Sequence, residues 1–154
     1  MKALKPLLAA AILTAGLAAP GMAQEPRDIA QEEANRKLVV DFYDKVFNQH
    51  MVEEAAVVLT DDYKQHNPHV PDGKEPFVSY FTQFFKDNPE ARARIVRSAA
   101  DGDLVWLHLN STQNAQDRGE AIVDIFRVED GRIVEHWDVI QPVPETSANE
   151  NTMF

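Results

Sequence analysis

Asp124, His136 and Asp138 are the residues whose types and spacing most readily do chemistry in this chain. They sit in the stretch Ala121 to Ile140, AIVDIFRVEDGRIVEHWDVI, where polar side chains interrupt an apolar alternation. A carboxylate among apolar neighbours is a stronger base than in water, and an imidazole changes charge near neutral pH. Such groups can take a proton from carbon beside a carbonyl and donate to the enolate oxygen that develops. The bland reading is that Asp124 and His136 only satisfy one another as a buried pair. A lone acid in an apolar strand is costly without a role or partner, which favours function for Asp124. For His136 the two readings are balanced.

The element that must position them is a β-hairpin, signalled by Asp130-Gly131 between two alternating runs. A two-residue turn there pairs Val128 with Ile133 and sets Asp124 opposite Trp137. A type I turn followed by a glycine bulge pairs Val128 with Arg132 and sets Asp124 opposite His136. The second is favoured, because Glu129-Asp130 suits right-handed backbone and Gly131 the left-handed bulge position. Asp124, His136 and Asp138 then share a face with Ile122, Phe126, Val134 and Ile140. Trp137, Arg127 and Glu135 share the other face, where the last two can form a cross-strand ion pair. A slip of one residue would break the cluster apart.

Other elements must enclose that face. Ala34, Leu38, Phe42 and Val46 recur every four residues, broadened by Val39, Tyr43 and Phe47, and predict an amphipathic helix over about 31–48. Glu32 and Glu33 fall on its wet side. A short helix is expected near 52–59. Tyr63 to His66 reads as a short strand running into a loop that holds Asn67, His69 and two prolines. His69 is best read as solvated; for His66 and Asn67 function and solvation are balanced. A third helix is expected from Lys74 to Lys86, with Pro76 in its first turn. Its aromatic stripe of Phe77, Tyr80, Phe81, Phe84 and Phe85 reads chiefly as core. Two strands follow, near 91–100 and 103–112. In the second, Leu104, Trp106, His108 and Asn110 alternate with Val105, Leu107 and Leu109. Helices first and antiparallel strands later predict an α+β fold with helices on one side of a curved sheet.

The chain has 154 residues. Lys2 and Lys5, the apolar run from Leu7 to Ala19 and the small-x-small Gly21-Met22-Ala23 predict a signal peptide cleaved after Ala23. The run is too short for a span of about 20 residues, so no membrane insertion is expected after cleavage. The mature protein is expected to be secreted, most simply to a bacterial periplasm. Losing residues 1–23 removes two lysines and no acid, taking the formal charge from −10 to −12. Such an acidic domain is a poor partner for nucleic acid or anionic membrane. The chain has no cysteine, which excludes disulfides, thiolate metal sites and cysteine nucleophiles. The mature part reads as one domain over residues 24–144 and a polar tail over 145–154. That tail is expected to be poorly ordered in a monomer, with Met153 and Phe154 able to dock on a partner.

Three segments carry a resemblance: Tyr63-x-Gln-His-Asn-Pro68, the strand bearing His108, and Asp124-Ile-Phe-Arg127 followed by Asp-Gly-Arg-Ile-Val-Glu-His-Trp-Asp138. Over roughly 30–144 the chain resembles SnoaL-like polyketide cyclases of the nuclear transport factor 2-like superfamily. The resemblance implies a cone-shaped α+β barrel, its curved, mainly antiparallel sheet wrapped around three helices and a deep pocket. It implies a homodimer through the outer sheet face, and aldol-type or isomerase-type chemistry without metal or cofactor. The acid of the family best matches Asp124 and its histidine best matches His108. His66, Asn67, His136, Asp138 and Tyr63 match pocket positions, and Trp106 alternates in phase with His108 and joins the substrate-binding set. The expected ligand is a small, largely apolar carbonyl compound. One alternative is a non-catalytic binding protein of the same fold. Another, ranked last, is a metal site drawing on His66, His108 and His136 with Asp124 or Asp138.

Overall fold

The computed structural model describes residues 26–154; the expected signal peptide over 1–23 lies outside them. Helix α1 spans Ile29–Phe47, and its N-cap Asp28 accepts from the Gln31 backbone N–H at 3.0 Å. Helix α2, Val52–Ala55, is one turn that tightens into a 3₁₀ turn over Ala56–Val58, shorter than the helix expected there. Strand β1 is Leu59–Gln65, helix α3 Lys74–Asp87, and strands β2 to β5 are Arg92–Asp101, Leu104–Thr112, Glu120–Glu129 and Arg132–Pro142. The fold is α+β: three helices and an open five-stranded sheet in the order β1-β5-β4-β3-β2. Neighbours are antiparallel except β1, which runs parallel to β5.

Alternation decides which face is inner. Val105, Leu107 and Leu109 of β3 are wholly buried, so Leu104, Trp106, His108 and Asn110 must face the other way. On β4 the inner set is Ile122, Asp124, Phe126 and Val128. Against it pack Val39, Phe42, Tyr43 and Val46 of α1, with Phe77 and Phe85 of α3.

The β4–β5 turn differs from expectation. Asp130 and Gly131 have φ of 49° and 72°, a two-residue turn that pairs Glu129 with Arg132 and Val128 with Ile133. The register then shifts between Arg127 and Val128, so that Arg127 pairs with Glu135 and Asp124 with Asp138. An extra residue in β5 thus makes a β-bulge. Neither expected pairing for Asp124 occurs. The shared face of Asp124, His136 and Asp138 nevertheless forms, because the bulge restores the phase that the turn alone would have lost. Ile133 rather than Val134 is buried beside the bulge.

Helix α1 also departs from its expected stripe. Ala34 is exposed, whereas Glu32 and Asn35 are buried. Both tie α1 to the β2–β3 turn: Gly102 N–H donates to Glu32 Oε1 and Asn35 Nδ2 donates to the Gly102 carbonyl, each at 3.2 Å. Arg27 Nε adds an ion-paired hydrogen bond to Glu32 at 2.8 Å.

The Arg27 hydrogen bond, and next the Gly102 N–H, hold the Glu32 carboxyl below its ordinary value of 4.5. A lowered carboxylate stabilises the fold above its unfolded pKa, and that contribution is lost as pH falls through the folded value. Glu32→Gln should therefore melt at a lower temperature than wild type at pH 7. The gap should close progressively below pH 4.5 in thermal scans; a gap independent of pH would contradict this role.

Candidate active site

A cavity of about 1030 Å³ lies between the inner sheet face, α1 and α3. Aromatic rings supply much of its wall: Phe42 and Tyr43 from α1, Tyr63 from β1, the α3 stripe and Phe126. That stripe serves two purposes. Phe77 and Phe85 are buried in the core, Tyr80 is largely exposed, and all five of its rings border the cavity.

The polar wall is built by β1, β4 and β5. Asp124 is 5% exposed and His136 8%. His136 Nε2 lies 3.3 Å from Asp124 Oδ1, and His136 Nδ1 lies 2.8 Å from Gln65 Oε1. Both facing atoms are acceptor oxygens, so a neutral ring donates to one of them and the doubly protonated ring to both. The parallel β1–β5 pairing makes this possible by setting Gln65 beside His136. One pair further along, Asp138 stands opposite Asp124, and Asn67 Nδ2 donates to Asp138 Oδ2 at 2.7 Å.

Two phenols complete the wall. Burial pushes the Tyr43 hydroxyl well above its usual range, followed by the Asp124 charge and a hydrogen bond to that carboxylate. Tyr63 is 1% exposed and is pushed up likewise by burial and then by the charges of Asp124 and Asp138.

Of the residues singled out from sequence, the structure brings together Asp124, His136, Asp138, Asn67 and Tyr63. It does not bring in His108, Trp106 or His66. The alternation of β3 turns His108 and Trp106 to the outer face, since three apolar neighbours take the core side. There Arg97 Nη1 donates to His108 Nδ1 at 2.8 Å, and the Phe154 ring lies 5.9 Å from the imidazole. The C-terminal Phe154 therefore meets its own sheet. His66 stacks on Trp137 at 4.5 Å and meets Glu135 Oε1 at 2.8 Å, again on the outer face. Arg127 Nε reaches Glu135 at 2.9 Å, as the outer-face pairing implied. Gln65 and Tyr43 were hidden in the sequence. Gln65 offered only its place two residues after Tyr63, and Tyr43 read as part of an apolar stripe.

Comparison with known proteins agrees with this architecture. A family model described as a SnoaL-like domain matches residues 39–136. No curated protein matches. A presumed ketosteroid isomerase from Kribbella flavida has a similar structure, with a TM-score of 0.64 and 20% identity, covering 80% of this chain and 90% of that one. A presumed polyketide cyclase from Bacillus cereus superposes with a TM-score of 0.56 and 22% identity, over 70% and 74% of the two chains. For an epoxide hydrolase from M. tuberculosis, described as LEH-like, the TM-score is 0.60 and the identity 19%, over 72% and 85%. At these identities the structures show a shared fold. With the family model spanning more than half of its length, this chain belongs to the SnoaL-like domain family.

Proposed function

We propose that this protein acts, after export, on a small, largely apolar carbonyl compound by cofactor-free acid/base chemistry of the enolisation, aldol or isomerase kind. The observation that carries the reading is the buried Asp124–His136 pair on the wall of a largely aromatic cavity. Two structural neighbours bear names, ketosteroid isomerase and polyketide cyclase, that denote reactions of carbonyl compounds.

Asp124 is the base. It takes the carbon-bound proton of a substrate lying against Phe42 and Phe126 and returns it to another carbon. The hydroxyl of Tyr63 donates to the oxygen on which enolate charge develops. His136, held through Gln65, sets Nε2 beside Asp124, where it donates to the carboxylate once the ring is doubly protonated. His136 takes the part that the family resemblance had given to His108. Ser111 and Thr112 of β3 and the following loop add a second polar patch to the lining.

Export rests on the composition of residues 1–23. Self-association rests on apolar side chains left on the outer sheet face, among them Val123 and Val139, the latter 70% exposed. The secreted form should begin at Gln24 by intact mass and scatter light as two chains. A retained leader would refute export, and a monomeric mass would refute the dimer.

Gln65 is testable without a substrate. Long-range ¹H–¹⁵N spectra should show His136 Nδ1 protonated through neutral pH, and Gln65→Leu should let the Nε2–H tautomer appear. An unprotonated Nδ1 in wild type would contradict the assigned geometry.

The reading itself is tested by deuterium exchange at the α-carbons of a panel of apolar cyclic ketones, followed by NMR in D₂O. Wild type should catalyse exchange on at least one, and Asp124→Asn should lower the rate by about 100-fold or more with its melting temperature little changed. His108→Ala should exchange like wild type. Exchange surviving in Asp124→Asn would exclude Asp124 as base. Ketones that bind without exchanging would leave the non-catalytic binding protein.

A further inference from the structure

The three polar groups of β4 and β5 form a constellation that the acid/base reading uses only in part. Asp124, His136 and Asp138 each offer one ligand atom, and these atoms all lie within 4.8 Å of one another. The set differs from the histidine-rich one considered from sequence, because His66 and His108 face outward.

Three observations point to a cation. The first is charge. Two carboxylates face one imidazole, and among the described residues no lysine or arginine comes within ion-pair distance of Asp124 or Asp138. The nearest-in-sequence cation, Arg127, is committed to Glu135 and Asp103 on the outer face. The second is orientation. Metal-binding histidines characteristically donate their other ring N–H to a fixed acceptor, and their carboxylate co-ligands are hydrogen-bonded in turn. Gln65 does the first for His136 and Asn67 the second for Asp138, leaving Asp138 Oδ1 without a partner. The third is Tyr63, a residue 1% exposed that lines the same cavity and brings a phenol to it.

We propose that Asp124, His136 and Asp138 bind one divalent transition-metal ion, for which Zn²⁺ is the best match. An imidazole nitrogen disfavours Mg²⁺ and Ca²⁺, and the absence of sulfur disfavours soft ions. Zinc holds nitrogen and carboxylate donors at about 2.0–2.2 Å, which places tetrahedral donors roughly 3.4 Å apart. The widest separation here closes to that by rotation of Asp138, the half-buried member. The three side chains and Tyr63 line one cavity, which would leave a fourth position of the ion open to a ligand. The inference goes beyond the acid/base reading and does not rest on it, since the ion would take the lone pair that the reading gives to a proton.

The test is a calorimetric titration of the chelator-stripped mature protein with ZnCl₂. One ion per chain is expected. Asp138→Asn should weaken binding at least tenfold, and Gln65→Leu, which leaves all three ligands in place, by about tenfold. His66→Ala should bind as wild type does. Crystals of wild type soaked in ZnCl₂ and measured at the zinc edge give a readout that needs no variant. Anomalous density between the three side chains supports the site. No uptake, uptake unchanged by Asp138→Asn, or density only elsewhere would overturn it. Ketone exchange is measured separately without zinc, so loss of either result leaves the other standing.

Discussion

The site depends on one extra residue in β5. A two-residue turn at Asp130-Gly131 without further adjustment would set Trp137 opposite Asp124 and turn His136 and Asp138 away from the helices. The bulge after Ile133 rephases the strand, so that Ile133 fills the core and every second residue from His136 onward faces inward. Side-chain direction has a period of two, so a single inserted residue exchanges the whole inner and outer sets. On the outer side it delivers Glu135 to Arg127 and His66, and Trp137 to the His66 ring. The polar outer network and the polar cavity wall are two results of the same shift.

What the bulge turns inward has an energetic cost. A buried carboxylate loses its hydration, and the Tyr43 hydroxyl replaces it only in part. Asp138 keeps some contact with solvent and one amide donor. A chain selected only for stability would fill these positions with residues like Ile122 and Phe126, which flank Asp124 on the same face. Instead, polar groups held in place by Gln65 and Asn67 line the same cavity as the aromatic rings.

Much of this was legible in the sequence. The long helix, the aromatic helix, the strands and the hairpin follow from periodicity and turn residues, and alternation puts His136 and Asp138 on one face; Asp124 joins them through the bulge and not through the register expected. The bulge was not legible, because Ile133 and Val134 are equally apolar and either could enter the core. His108 misled for a related reason. Alternation gives two faces without saying which is inner, and only the packing of Val105, Leu107 and Leu109 against α1 decides it. Glu32 and Asn35 look like solvated helix residues until the Gly102 turn arrives from about 70 positions away to bond them. Gln65 was invisible because its role exists only once β1 lies parallel to β5.

That parallel pairing also bears on how the molecule assembles. Strands β2 to β5 form a meander whose partners are close in sequence. By contrast, the Gln65–His136 and Asn67–Asp138 contacts each join residues 71 positions apart. Closing so long a loop carries an entropic cost that a hairpin avoids, and it is recovered only when many contacts form together. β1 meets β5 over few pairs, with the register broken between Leu59 and Lys64. Gln65 and Asn67, which hold His136 and Asp138, thus depend on the strand with the highest contact order and the thinnest ladder. Folding kinetics would complete it late, and local opening would dismantle it first, leaving the meander intact.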